Sequence, residues 1–157
     1  MLKLVKIIDK KTNLVQEALG YDFEYYKLQG YTKQDVEQSD VNGNWYLAGY
    51  APMKTDEEKA QEEAERIAML SLTRGDVFRG LLLAKGITKK QIATMIEAMP
   101  TSNQEEIVAK ELAKIDFEDA LNFYRGNSLI DTIGLALGIT KEQLDKFFET
   151  GDYKELM

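Results

Sequence analysis

Two junctions occur twice in this chain, 51 to 52 residues apart, and they constrain its fold more than any other feature. Arg74-Gly75-Asp76 is answered by Arg125-Gly126-Asn127, and Gly86-Ile87-Thr88-Lys89 by Gly138-Ile139-Thr140-Lys141. The apolar runs before the second junction also correspond, Leu83-Ala84 to Leu135-Ala136. A fixed offset between matching stop and start signals is the mark of a duplicated supersecondary unit. Each copy reads as a long helix, an arginine-glycine junction, a second helix, a Gly-Ile-Thr junction and a third helix. Thr88-x-x-Gln91 and Thr140-x-x-Gln143 have the spacing of capping boxes.

The first copy spells out its helices. Thr55-x-x-Glu58 opens one, with Ala60, Ala64, Ile67 and Leu70 at helical spacing. Gly75 is placed to end that helix and Asp76 to cap the next, whose apolar stripe is Val77, Phe78, Leu81 and Leu82. Gly86 stops it. Ile92, Met95, Ile96 and Met99 form one face of the third helix, and Pro100 closes it.

The first third has another character. The prolines fall only at Pro52 and Pro100, and the stretch 1–52 holds eight of the 15 aromatics, among them Trp45, Tyr46 and Tyr50. Leu2, Leu4 and Ile8 alternate with polar positions as in a half-buried strand, and Leu14 to Leu19 can return after the turn at Lys10 to Asn13. A short helix is expected around Asp22 to Leu28, closed by Gly30. Val36–Val41 and Trp45–Tyr50 flank Asn42-Gly43, a dipeptide suited to a tight hairpin. The expected fold class is α+β: a small antiparallel ββαββ-like unit (1–52), then two related three-helix repeats (53–100 and 101–157).

Composition excludes whole classes of chemistry. With no cysteine and no histidine there is no thiol nucleophile, imidazole base, disulfide or thiolate zinc site. The net charge of −7 disfavours nucleic acid and anionic membrane, and most of the acid excess lies beyond Pro52. The interleaved lysines of Met1 to Ile8 do not read as a signal peptide, and no apolar run reaches membrane-spanning length.

The remaining motifs have plain readings. Arg74-Gly75-Asp76 matches an integrin-binding tripeptide but sits at a helix junction. Lys85 to Ala93 resembles the turn and first helix of phage-repressor-like helix-turn-helix domains. Glu97, Pro100, Glu105 and Glu106 follow where a recognition helix would need donors, so DNA binding is not expected. Asp40 to Asn44 lacks the glycine of a calcium loop, with Trp45 at that position. Neither the glutamates from Glu57 to Glu65 nor Asp116, Glu118 and Asp119 identify an acid/base pair. No catalytic, cofactor or metal residue is expected. The candidate contact surface is the hairpin face of Trp45, Tyr46 and Tyr50, because aromatics concentrate in interface cores.

Tyr26 to Gln38, continuing through Asn42-Gly43 and Trp45 to Pro52, resembles the N-terminal unit of small proteins encoded beside tail-fibre and baseplate genes in tailed phages and prophages. The segments Thr73 to Gly80 and Asp116 to Leu121 look like helical tails found on some of these proteins. The resemblance implies a non-enzymatic structural or assembly role through protein–protein contacts. It implies tail-fibre or baseplate subunits as partners, with the host cytoplasm during assembly, or the virion tail, as the location. Self-association into a homo-oligomer is left open by the sequence. The competing expectations are a regulator acting in the host cytoplasm and a carboxylate-only, sugar-active enzyme.

Overall fold

The computed structural model describes all residues from 1 to 157. It is a mixed α/β structure with seven α-helices and a four-stranded antiparallel N-terminal sheet. The chain divides into two compact units, residues 1–60 and 61–157.

In the first unit the element order is β1 (Leu2–Asp9), β2 (Leu14–Glu17), α1 (Phe23–Leu28), β3 (Thr32–Gln38) and β4 (Trp45–Leu47). All pairings are antiparallel, β1 with β2 and β3, and β4 with the other side of both, so the strands close into a small barrel. Each of the four strands thus has a hydrogen-bonded neighbour on both sides. Val5, Val15 and Val36 fill the interior, with Ile7, Trp45 and Leu47 packed against them. The Asp22 carboxylate caps α1 by accepting from the Tyr25 N–H.

The hairpin differs from the two-residue turn expected from Asn42-Gly43. β3 stops at Gln38 and β4 starts at Trp45, so Ser39 to Asn44 form a longer loop and Val41 is exposed. The reason lies in Ser39, which is buried. Its N–H donates to the Asn44 carbonyl and its hydroxyl donates to the Pro52 carbonyl and accepts from the Val41 N–H, so the turn between Ser39 and Asn44 is four residues long.

Helix α2 (Asp56–Ala68) spans the boundary at Ala60/Gln61. Its capping box is formed: the Glu58 N–H donates to Thr55 Oγ1, and the Thr55 N–H donates to Glu58 Oε2. Ala60 and Ala64 are exposed, and Leu70 lies beyond the last turn, so the expected apolar stripe is not a buried face.

The second unit continues with β5 (Ser71–Thr73), α3 (Arg74–Lys85), α4 (Lys89–Glu97), α5 (Gln104–Asp119), β6 (Asn122–Tyr124), α6 (Ser128–Leu137) and α7 (Lys141–Thr150). A final 3-10 turn, Tyr153–Leu156, packs its buried Leu156 against α3 and α7. The roles expected for Gly75 and Asp76 are corrected here. Helix α2 ends at Ala68, strand β5 intervenes, and Gly75 lies in the first turn of α3. The cap is Thr73, whose hydroxyl accepts from the Asp76 N–H. A hydroxyl three residues ahead of that amide satisfies one of the unpaired donors that begin every helix.

β5 and β6 pair in antiparallel register, Ser71 with Tyr124, Leu72 with Phe123 and Thr73 with Asn122. The ladder is extended at both ends by reciprocal bonds, Arg74 N–H to the Leu121 carbonyl at 2.9 Å and Arg125 N–H to the Leu70 carbonyl at 2.8 Å. Around this ribbon one core gathers Val77, Phe78, Leu81, Ile92 and Ile96 with Phe123, Leu129, Ile133, Leu144 and Phe147. Gly86 and Gly138 end α3 and α6 in the left-handed conformation, φ 67° and 69°. Gly80 serves closeness instead: a Cβ there would stand 2.5 Å from the Phe147 ring.

Phe123 is 1% exposed and meets Phe78 edge-to-face at 5.7 Å. Phe123→Ala should therefore destabilise the second unit by about 3–5 kcal/mol. Denaturant melts followed by a probe in that unit measure this loss; a change under about 1 kcal/mol would show that the ribbon is not central to the core.

Candidate functional site

Strand geometry separates the three aromatics expected to form one contact face. Trp45 and Tyr46 are consecutive in β4 and so project to opposite faces. Trp45 turns inward against the valine core and is half-buried. Lys3 Nζ sits 3.5 Å from its ring centroid and also bonds Glu17 Oε2, so a cation–aromatic–carboxylate stack covers the indole. Tyr46 is 7% exposed, and its hydroxyl accepts from Asn42 Nδ2 at 3.0 Å. Tyr50 alone is open, at 60% exposure. Its loop is tied down from the far side, where Glu37 Oε1 accepts from the Gly49 and Ala51 N–H groups.

An outward-facing apolar surface lies elsewhere, on α5. Two stripes run along this helix on opposite sides. Ala113, Phe117 and Ala120 face the core, whereas Val108, Leu112 and Ile115 point to solvent. Leu112 is 56% exposed and Ile115 54%. The spacing of four and three residues puts the outer three side by side. Glu105, Glu111, Glu118 and Asp119 are exposed along the same helix and rim the stripe. A contiguous apolar strip with a polar rim is the form that protein contact sites take. The signal was available in the sequence, but two opposed stripes cancel one another when the helix is searched for a single apolar side.

The polar clusters are structural in geometry. Arg125 is 6% exposed and reaches Asp145 Oδ1 through Nε at 2.6 Å and Asp131 Oδ1 through Nη1 at 2.9 Å. Asn127 caps α6 through the Leu129 N–H and donates to Asp116 Oδ2. In the tripeptide at 74–76, Asp76 is paired with Arg79 at 2.7 Å, and that bond holds its carboxyl below the ordinary aspartate range. Asp40 accepts from the Lys54 N–H, which gives that loop acid a structural partner. The acidic side chains nowhere group in threes in a metal-binding arrangement, and no helix is long and apolar enough to cross a membrane. No protein-family model, curated protein or solved structure matches this chain.

Two predictions follow from the clusters. Arg125→Met should cost about 1–3 kcal/mol, because it removes charge-assisted bonds from a buried guanidinium while the two aspartates can still reach water. A melting temperature unchanged from that of the parent chain would refute it. The second concerns Glu97, whose carboxyl lies below the ordinary glutamate range because Lys114 bonds it and Lys110 adds a weaker attraction. A lowered folded value means that the pair favours folding above the ordinary glutamate range. That contribution is lost as pH falls through the lowered value. Carbon-detected NMR titration should place the Glu97 midpoint below that of exposed glutamates, and Lys114→Met should move it back up.

Proposed function

We propose that this protein is a non-enzymatic assembly or structural component of a phage or prophage tail, acting through protein–protein contacts. The observation that carries the contact reading is the outer stripe of α5. Val108, Leu112 and Ile115 remain in water on a unit whose core has already taken in some sixteen buried apolar residues. A surface like this contributes to association when a partner covers it. The tail setting rests on the likeness of Tyr26 to Gln38 and Asn42 to Pro52 to proteins encoded beside tail-fibre and baseplate genes. Tail-fibre or baseplate subunits are the proposed partners, met in the host cytoplasm during assembly or in the virion tail. Tyr50 is the one of the three expected aromatics free to add to such a contact.

The finer architecture belongs to the same proposal: a ββαββ unit over about the first third, then two related three-helix repeats. Matching capping boxes at Thr88 and Thr140 and the reciprocal bonds of Arg74 and Arg125 support a duplication.

The test is co-expression of the full chain with the tail-fibre and baseplate proteins encoded beside its gene, followed by co-purification. Leu112→Asp combined with Ile115→Asp should cut recovery of the partner more than about tenfold, as loss of a central apolar anchor does. Both positions are exposed, so the variant should keep the parent melting temperature. Undiminished recovery would remove α5 as the contact, and failure of every neighbour to co-purify would remove the tail assignment.

A further inference from the structure

The two halves of the second unit treat their junction arginines differently. Arg74 and Arg125 make reciprocal backbone bonds beside the ribbon, but their side chains meet opposite surroundings. Arg125 is neutralised by Asp131 of α6 and Asp145 of α7, and its Nη2 also donates to the Lys141 carbonyl. Fifty-two residues earlier, the offset of the Gly-Ile-Thr junctions, Arg79 stands in place of Asp131 and Ala93 in place of Asp145. Arg74 consequently has no carboxylate. Its Nη1 donates to the Phe117 carbonyl, and its guanidinium lies 5.1 Å from the Phe78 ring centroid and 5.5 Å from that of Phe117.

Beside it opens a groove of about 450 Å³ between α3 and the start of α4. Phe78, Leu82 and Ile87 line it, Arg74, Arg79 and Lys89 border it, and its wall is almost wholly apolar. Lys89 Nζ lies 5.5 Å from the Phe78 centroid. The nearest acid on this element, Asp76, is taken by Arg79. Asp76 offsets the charge of Arg79, so on a chain of net charge −7 the groove keeps a local positive excess from Arg74 and Lys89, neither of which is paired with a carboxylate. The corresponding groove of the other half, between α6 and α7, is lined by Asp131 and Lys141 and carries no such excess.

We propose that the α3/α4 groove binds an acidic, apolar segment of another protein. One carboxylate of that segment pairs with Lys89 beside Arg74, a second shares Arg79 with Asp76, and an apolar side chain lies on Phe78, Leu82 and Ile87. The second half shows which chemistry satisfies an arginine at this junction: aspartates carried on helices, two of them at once. Several cations spread along an open edge match several carboxylates better than a single headgroup. This contact is separate from the α5 stripe and does not depend on a tail setting.

The experiment is an NMR titration of the ¹⁵N-labelled full chain with three probes: a short capped peptide of aspartate and leucine, its asparagine counterpart, and decanoate. The aspartate peptide should move amides at Gly75, Phe78, Leu82 and Lys89, with the asparagine peptide about tenfold weaker, the size of effect that two or three exposed ion pairs supply. Arg79→Glu with Lys89→Glu should abolish the response while circular dichroism stays unchanged. If that double variant does not fold, Lys89→Gln should still weaken binding several-fold. Equal binding of both peptides, or shifts mapping elsewhere, would overturn the proposal. Decanoate matching the aspartate peptide would reassign the groove to a small amphiphile, and shifts that grow with protein concentration alone would reassign it to a second copy of this chain.

Discussion

The pairing of Leu72 with Phe123 is the contact on which the helical unit depends. Two strands of three residues cannot hold a ribbon in water by their hydrogen bonds alone, since an isolated hairpin of this size is at best marginal. What fixes the ribbon is burial. Phe123 is sealed by Phe78 and the surrounding aliphatic residues, and this sets the position of every helix that leaves the ribbon. Helix α3 departs at Arg74 and α6 shortly after Arg125, so the same two backbone bonds that extend the ladder also orient both helices. Gly80 then lets α3 approach the Phe147 ring of α7, which a side chain at that point would block.

Charge follows from the same frame. The ribbon brings α2 and α7 close enough for Arg66 to bridge Glu63 and Glu149, and it leaves α4 beside α5, where Glu97 meets Lys110 and Lys114. These exposed pairs contribute little individually to stability. At the α3/α4 edge Arg79 and Ala93 stand fifty-two residues before Asp131 and Asp145, and Arg74 there has no carboxylate like those that meet Arg125.

Legibility in the sequence tracked the range of the interactions involved. Capping boxes at Thr55, Thr88 and Thr140, and the left-handed stops at Gly86 and Gly138, are local signals, and each was read at the residue where it operates. β5 and β6 were invisible because three residues give no period-two pattern, and their pairing spans about fifty positions. Without a strand after Ala68, a glycine following a helical pattern looks like a stop, and Gly75 instead lies in the first turn of α3. The hairpin loop was set by Ser39 bonding to Pro52, thirteen residues away, which no dipeptide rule contains. Residue type alone groups Trp45 with Tyr46 on one surface, whereas strand alternation sends them to opposite faces.

Exposed apolar residues carry unequal weight in the two units, and size decides how much. The barrel unit centres on Val5, Val15 and Val36, with Leu4 and Tyr46 its other buried apolar side chains, so a chain of about sixty residues must leave much of its apolar surface outside. Leu19, Tyr21 and Leu28 in water are therefore what a small unit shows with or without a partner. Apolar side chains such as Leu121 and Leu135 also stay in water on the helical unit. It has a continuous core, and α5 already gives that core Ala113 and Phe117 from its other side. Polar residues at 108, 112 and 115 would have left those contacts untouched and reduced the exposed apolar area. Three aliphatic side chains aligned there add nothing to that core, which is why the proposed contact rests on the outer face of α5 rather than on an aromatic of the first third.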